Sequence, residues 1–162
     1  MKPRLSLKGR ALQLLAQREQ SRVELRRKLT AHAAADGEGD DGATIASRVD
    51  ELLDWLVANQ FASDERFAEA RVSARSARFG NLRIRGELAQ HGVAASAELA
   101  QQLKDGELER ALQVWRRKFG EVQAPPPGDA AVKARQARFL AGRGFSPEVI
   151  RQVLRRVAKG PA

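Results

Sequence analysis

Apolar residues recur at helical spacing along most of the chain, and no stretch alternates apolar and polar residues as a half-buried strand would. The clearest stripe is Ile45, Ala46, Val49, Leu52, Leu53, Leu56 and Val57, which fall on one side of a helix. A second stripe, Val149, Ile150, Val153, Leu154 and Val157, follows "SPE". There Ser146 can cap, Pro147 suits the first helical position and Glu148 favours the positive helix end. Ser21 and Glu24 have the spacing of a capping box ahead of Leu25 and Leu29. The stretches "AADGEGDDG" (34–42) and "QAPPPGD" (123–129) cannot continue a helix and read as exposed loops. Shorter breaks fall at Asn59 to Ser63, Phe79-Gly80, His91-Gly92, Asp105-Gly106, Gly120 and Gly142 to Ser146, leaving about nine helical segments.

The segments group in threes: 8–17, 21–33 and 43–58; then 64–78, 81–91 and 95–104; then 107–119, 129–142 and 147–159. "GELAQHGVAASAELAQQL" can be laid over "RFLAGRGFSPEVIRQVL", which places Leu88 on Leu140, Gly92 on Gly144 and Val93 on Phe145. Each of these glycines follows a helix, where a left-handed terminating residue is wanted. The expected fold is therefore all-α, with no sheet: an elongated array of three tandem three-helix repeats. The expected boundaries are 1–60, carrying the acidic Gly-rich loop 36–42; 61–104; and 105–162, carrying the Pro-rich loop 123–128. Units of about 50 residues enclose only small helical cores, so neighbours must share interfaces, and deep pockets have little room. Leu25, Leu52, Leu56, Leu88, Leu140 and Leu154 are the expected core positions.

Composition narrows the partners. The 162 residues carry 29 Lys and Arg against 20 Asp and Glu, a formal charge of +9 that attracts polyanions. The charge is also polarised: residues 36 to 69 hold ten acids and only two bases, Arg48 and Arg66. The absence of cysteine excludes disulfides, thiolate metal sites and cysteine nucleophiles. No apolar run has the length of a signal peptide or a membrane span, so a cytoplasmic protein is expected.

Catalytic chemistry finds little to work with. His32 and His91 stand near predicted helix ends, where a positive charge suits the dipole. An EF-hand loop counted from Asp36 would need glycine sixth and glutamate twelfth, and those places hold Asp41 and Ser47. Asp64 and Glu65 are acids in a first helical turn, which the dipole explains. No enzyme, cofactor or metal is expected.

Basic faces carry the stronger signal. Arg71, Arg75 and Arg78 are spaced i, i+4, i+7, which stacks three like charges on one helical face at a cost that an external anion would relieve. Arg83 and Arg85 follow Gly80 at the start of the next helix, where free N–H groups already favour anions. Arg116, Arg117 and Lys118 end another helix, and Arg151, Arg155, Arg156 and Lys159 stand opposite the last apolar stripe. Among the aromatic residues, mostly spaced as core, Phe79 beside Arg78 is the one candidate for stacking on a base.

Four stretches together resemble the RecX family: "ALQLLAQREQSRVELRRKL" (11–29), "SDERFAEA" (63–70), "GNLRIRGELAQHGV" (80–93) and "FLAGRGFSPEVIRQVL" (139–154). The likeness covers nearly the whole chain, with all three repeats in order. The glycine-acid loop, the triple proline at 125–127 and Ala62, where a larger apolar residue is usual, depart from the pattern. The resemblance implies a curved, modular helical protein, a monomer, that lies in the helical groove of a RecA–DNA filament. It implies inhibition of strand exchange and of the partner's ATP hydrolysis, within homologous recombination, DNA repair and the SOS response. By the same analogy the arginine faces meet single- or double-stranded DNA or acidic RecA surface. The alternative is a direct DNA-binding protein acting without RecA, because "RIRGELAQHGVAASAELAQQL" passes for a helix-turn-helix. Against it, 95–103 offers mainly Ala, Ser, Glu and Gln, with no arginine to read guanine.

Overall fold

A computed structural model describes residues 3–36, 41–120 and 129–160, and these form eight α-helices with no strand among them. They are α1 (Leu7–Gln17), α2 (Arg22–Ala35), α3 (Gly42–Ala58), α4 (Asp64–Arg75), α5 (Asn81–Gln90), α6 (Ala97–Phe119), α7 (Ala130–Gly142) and α8 (Pro147–Ala158). The starts are set by short polar side chains. Ser6, Ser21, Ser96 and Ser146 each accept a hydrogen bond from the backbone N–H three residues on, and Asp41 does the same for Thr44. Pro147 takes the first helical position of α8 as its fixed φ predicts.

The count of nine becomes eight because α6 runs without a break through Asp105 and Gly106. A glycine inside a helix costs about 1 kcal/mol, which packing on both sides readily offsets. Here the missing side chain has a use: a Cβ at Gly106 would sit 3.2 Å from Nη1 of Arg110, which lies back along the helix and donates to the Leu103 carbonyl. The other correction is the end of α4. The helix stops at Arg75, and residues 76–78 form a turn, so Arg78 leaves the face occupied by Arg71 and Arg75.

The chain divides into two compact units, Met1–Ala70 with Gln90–Val93, and Arg71–Ala89 with Ala94–Ala162. In the first, Ala11, Leu14, Leu25, Leu29, Ile45, Val49, Leu53, Leu56 and Ala62 form the core. The buried set on α3 is narrower than its apolar stripe: Ala46 and Val57 are exposed and Leu52 is half-buried at the margin. In the second unit Ala111, Leu112, Val114, Leu140, Phe145, Ile150 and Val153 pack together. Leu25, Leu56, Leu88 and Leu140 are buried, as expected of core leucines, whereas Leu154 is only partly so. Gly92 and Gly144 both take positive φ, +67° and +85°, at the turns that the overlay of the two stretches matched.

The capping box of α2 is half made. Ser21 caps Glu24, but the Glu24 carboxylate turns to Arg18 and Lys28 instead of back to the Ser21 N–H. Burial pushes this carboxyl up, but hydrogen bonds from Arg18 and Lys28 outweigh it and hold the pKa at about 2. A depressed folded pKa means stability that is present above the unfolded value near pH 4.5 and is lost as pH falls toward 2. Urea unfolding at pH 7 and pH 3 is expected to show the parent losing about 2 kcal/mol more than Glu24→Gln, which has no such proton to bind. Equal losses would mean that the ion pairs contribute nothing net.

Candidate functional site

The stretch from Ser63 to Val93, which changes from acidic to basic, resolves into capping groups, a joint and an arginine cluster. Its first acid, Asp64, serves structure. Ser63 caps α4 through the Arg66 N–H. Asp64 reaches back to the start of α2 and accepts the free Arg22 N–H at 2.8 Å. In the second unit Glu107, on α6, does the same for α5, accepting the Asn81 N–H at 3.1 Å and both the N–H and hydroxyl of Ser146 at 3.2 Å. Helix starts leave N–H groups without partners, and a carboxylate from a neighbouring helix satisfies them while sitting at the positive end of the dipole.

Glu107 was not singled out from the sequence. The signal was present: in the threefold grouping Asp64 and Glu107 both begin the first helix of a triplet. Around Glu107 lies a buried polar knot. Arg110 donates to Asn81 Oδ1 and to the Ser76 and Leu103 carbonyls, while Asn81 Nδ2 donates to Leu103. Burial lowers the pKa of the Arg110 guanidinium, and the charge of Glu107 offsets part of that.

Gly80 explains why a glycine interrupts the arginines. Its N–H donates to the Arg143 carbonyl at 2.8 Å, and the Leu82 N–H donates to the Gly144 carbonyl at 3.0 Å. A methyl group at Gly80 would overlap Gly144 O and Phe145 N, and one at Gly144 would overlap Arg83. The two glycines let the α4–α5 and α7–α8 turns touch backbone to backbone.

The arginines separate into two groups. Arg71, Arg75 and Arg83 converge on one carboxylate, Glu87 of α5, at 3.4, 2.6 and 3.5 Å. The repulsion expected on this face is therefore relieved from within the chain. The bidentate pair with Arg75 holds the Glu87 carboxyl below its usual range. Arg71 Nε is buried without an aligned hydrogen bond despite its place in the cluster. Phe79 is 8% exposed, with the guanidiniums of Arg83, Arg75 and Arg143 at 4.0, 4.3 and 5.6 Å from its ring centre. Those cations occupy the ring, so it offers no free face to a base.

The second group has no carboxylate. Arg78, Arg85, Arg117, Lys118, Arg151, Arg155, Arg156 and Lys159 are exposed and form no ion pair among the described residues. Arg116 stands 3.8 Å from Glu109, both well exposed, a contact worth little in water. Arg117 donates to the Ala77 carbonyl, and Lys118 lies 5.8 Å from the Phe139 ring centre. The last turns of α6 and α8 thus present cations outward, on the helix ends where the dipole welcomes them.

Among the described residues no group of three or more His, Asp and Glu side chains is placed to hold a metal, and no helix is long and apolar enough to cross a membrane. His32 lies 3.0 Å from the Leu5 carbonyl and 3.6 Å from Asp36, and His91 packs against the Phe67 ring. Asp36 also pairs with Arg4 and Asp41 caps α3; the rest of the acidic loop and the Pro-rich loop lie outside the described residues.

Fold and surface together define a class: an all-helical protein whose helices meet through glycine turns and through carboxylates that accept from neighbouring helix starts, with cationic outer helix ends. Family models agree with that class. Residues 63–97 match the second three-helix domain of RecX and residues 105–154 the third. The protein named Regulatory protein RecX in Herbaspirillum seropedicae is 48% identical over 153 residues, covering 93% of this chain and 90% of that one. Those of the same name in Ralstonia nicotianae and Neisseria meningitidis serogroup C are 43% and 34% identical, over 93% and 96% of this chain and 87% and 93% of theirs. The crystal structure of RecX from Lactobacillus salivarius superposes with a TM-score of 0.66 at 16% identity, over 93% of both chains. The chain belongs to the RecX family.

Proposed function

We propose that this protein is a non-catalytic regulator that binds the RecA–DNA filament in the cytoplasm, as a monomer, and inhibits strand exchange and the ATP hydrolysis of the recombinase. Its three-helix repeats, at 1–60, 61–104 and 105–162, lie along the filament groove. The observation that carries the reading is the set of exposed cations at the ends of α6 and α8, Arg117, Lys118, Arg155 and Arg156, with no ion pair among the described residues in a member of this family. Such faces are costly when bare and become favourable against phosphates or acidic side chains. Arg71, Arg75 and Arg83, being shared with Glu87, contribute positive field to that surface and fewer free donors.

The test is binding to single- and double-stranded DNA with and without a RecA–nucleotide filament, across a salt titration. Tight, stoichiometric binding that needs the filament and weakens with salt is the expected result. Equal affinity for free DNA would overturn it in favour of direct DNA binding without RecA.

A further inference from the structure

Arg78, Arg117 and Arg143 line a cleft of about 370 Å³ in the second unit, whose remaining wall is Val114. They arrive from three separate places: the turn after α4, the last turns of α6, and the turn between α7 and α8. No carboxylate lines the cleft, and none of the three forms an ion pair among the described residues. Two are held in position by the protein itself. Arg117 is tied to the Ala77 carbonyl, and the Arg143 guanidinium lies against Phe79 and Phe139, 5.6 and 5.3 Å from their ring centres.

Arg71, Arg75 and Arg83 bring the same number of cations together, and there the chain supplies Glu87 as counterion. At the cleft it supplies none. Three guanidiniums brought to one opening, two of them held there by the chain, repel one another, and an anion from outside relieves that. A single carboxylate can serve three guanidiniums, as Glu87 does, but the chain places none at the cleft. A phosphate group sets its anionic oxygens in a tetrahedral arrangement, two in a phosphodiester and three in a terminal phosphate, which guanidinium forks can approach from different directions. The volume exceeds that of a lone phosphate, leaving room for an attached sugar.

We propose that Arg78, Arg117 and Arg143 form a phosphate-binding cleft, receiving a phosphodiester of a nucleic-acid strand or a free phosphate compound of the same chemistry. This narrows the basic-surface reading of the preceding section to one built site and adds Arg143 to it. It rests on that reading only for the site's role in the filament, because the binding itself belongs to the isolated chain.

The experiment uses the full chain without recombinase, at constant ionic strength. Inorganic pyrophosphate and a short oligothymidylate are titrated separately and in competition, followed by NMR of the arginine side-chain Nε–H groups. Resonances of Arg78, Arg117 and Arg143 are expected to move together. Arg78→Gln, whose side chain makes no other described contact, is expected to weaken pyrophosphate binding about tenfold without changing the melting temperature, while Arg151→Gln changes it less than about twofold. Displacement of pyrophosphate by the oligonucleotide, with both weakened by Arg78→Gln, assigns the site to a strand. Pyrophosphate binding that the oligonucleotide does not displace assigns it to a free phosphate compound. Unchanged binding in Arg78→Gln and Arg117→Gln, or shifts spread equally over all exposed arginines, overturns the proposal. Loss of phosphate binding in Arg78→Gln with intact filament inhibition removes the cleft's role in the filament alone, and phosphate binding by the parent chain without filament inhibition removes the filament reading alone.

Discussion

Gly80→Ala is expected to destabilise the second unit by about 3 kcal/mol or more, the upper end for overpacking, although it adds a single methyl group. The methyl would fall on backbone atoms, Gly144 O and Phe145 N, which cannot rotate aside as a side chain can. Making room means parting the two turns, and that stretches the hydrogen bonds from Gly80 N–H to Arg143 and from Leu82 N–H to Gly144. Ser146 would be drawn away from Glu107 with them, leaving a buried carboxylate short of two donors. Gly86→Ala is the matched control. That glycine is helical with nothing within 4 Å of an added Cβ, so alanine is expected to stabilise by up to about 1 kcal/mol. Thermal melts of both variants decide it. If the two substitutions behave alike, the contact between turns carries no stability.

The second large effect is functional. Reversal of Arg155 and Arg156 to Glu is expected to lower the melting temperature only modestly, through two negative charges at the C-terminal end of α8, since both residues are exposed and unpaired among the described residues. It is expected to weaken filament inhibition more than about tenfold at physiological salt, because two charge-assisted contacts become repulsive. Reversal of Arg75 and Arg78 separates differently from what their spacing alone suggests. Arg75→Glu places a carboxylate against Glu87 and removes a cation from the Phe79 ring, so it lowers the melting temperature. Only Arg78→Glu, on an exposed residue free of such partners, reports on binding alone. Full inhibition by the Arg155/Arg156 variant, in a strand-exchange assay at physiological salt, would show that α8 is merely a solvated face.

Much of this molecule was legible in its sequence because helices are local. Stripes spaced three and four residues apart, serine caps, Pro147 and the glycines that end helices act within a turn or two of themselves, and they placed six of the eight helices to within two residues at each end. The pairing of Gly92 with Gly144 was also available, since both needed a positive φ that only glycine adopts easily. Family membership followed from motif order.

What the sequence could not decide were partners contributed by distant residues. The charges of Arg71 and Arg75 looked free because spacing along one helix says nothing of Glu87, which arrives from α5. Asp64 looked like a dipole residue of its own helix, and its acceptance of the Arg22 N–H spans 42 positions. The break expected at Gly106 failed for a similar reason: Arg110 fills the space that glycine leaves, and Asn81 and Ser76 lie beyond it. The cleft of Arg78, Arg117 and Arg143 exists only because two turns and a helix end meet. Sequence sets local conformation through short-range sterics and hydrogen bonds, whereas which charges are satisfied within the chain and which are left for a ligand is settled only when its distant parts pack.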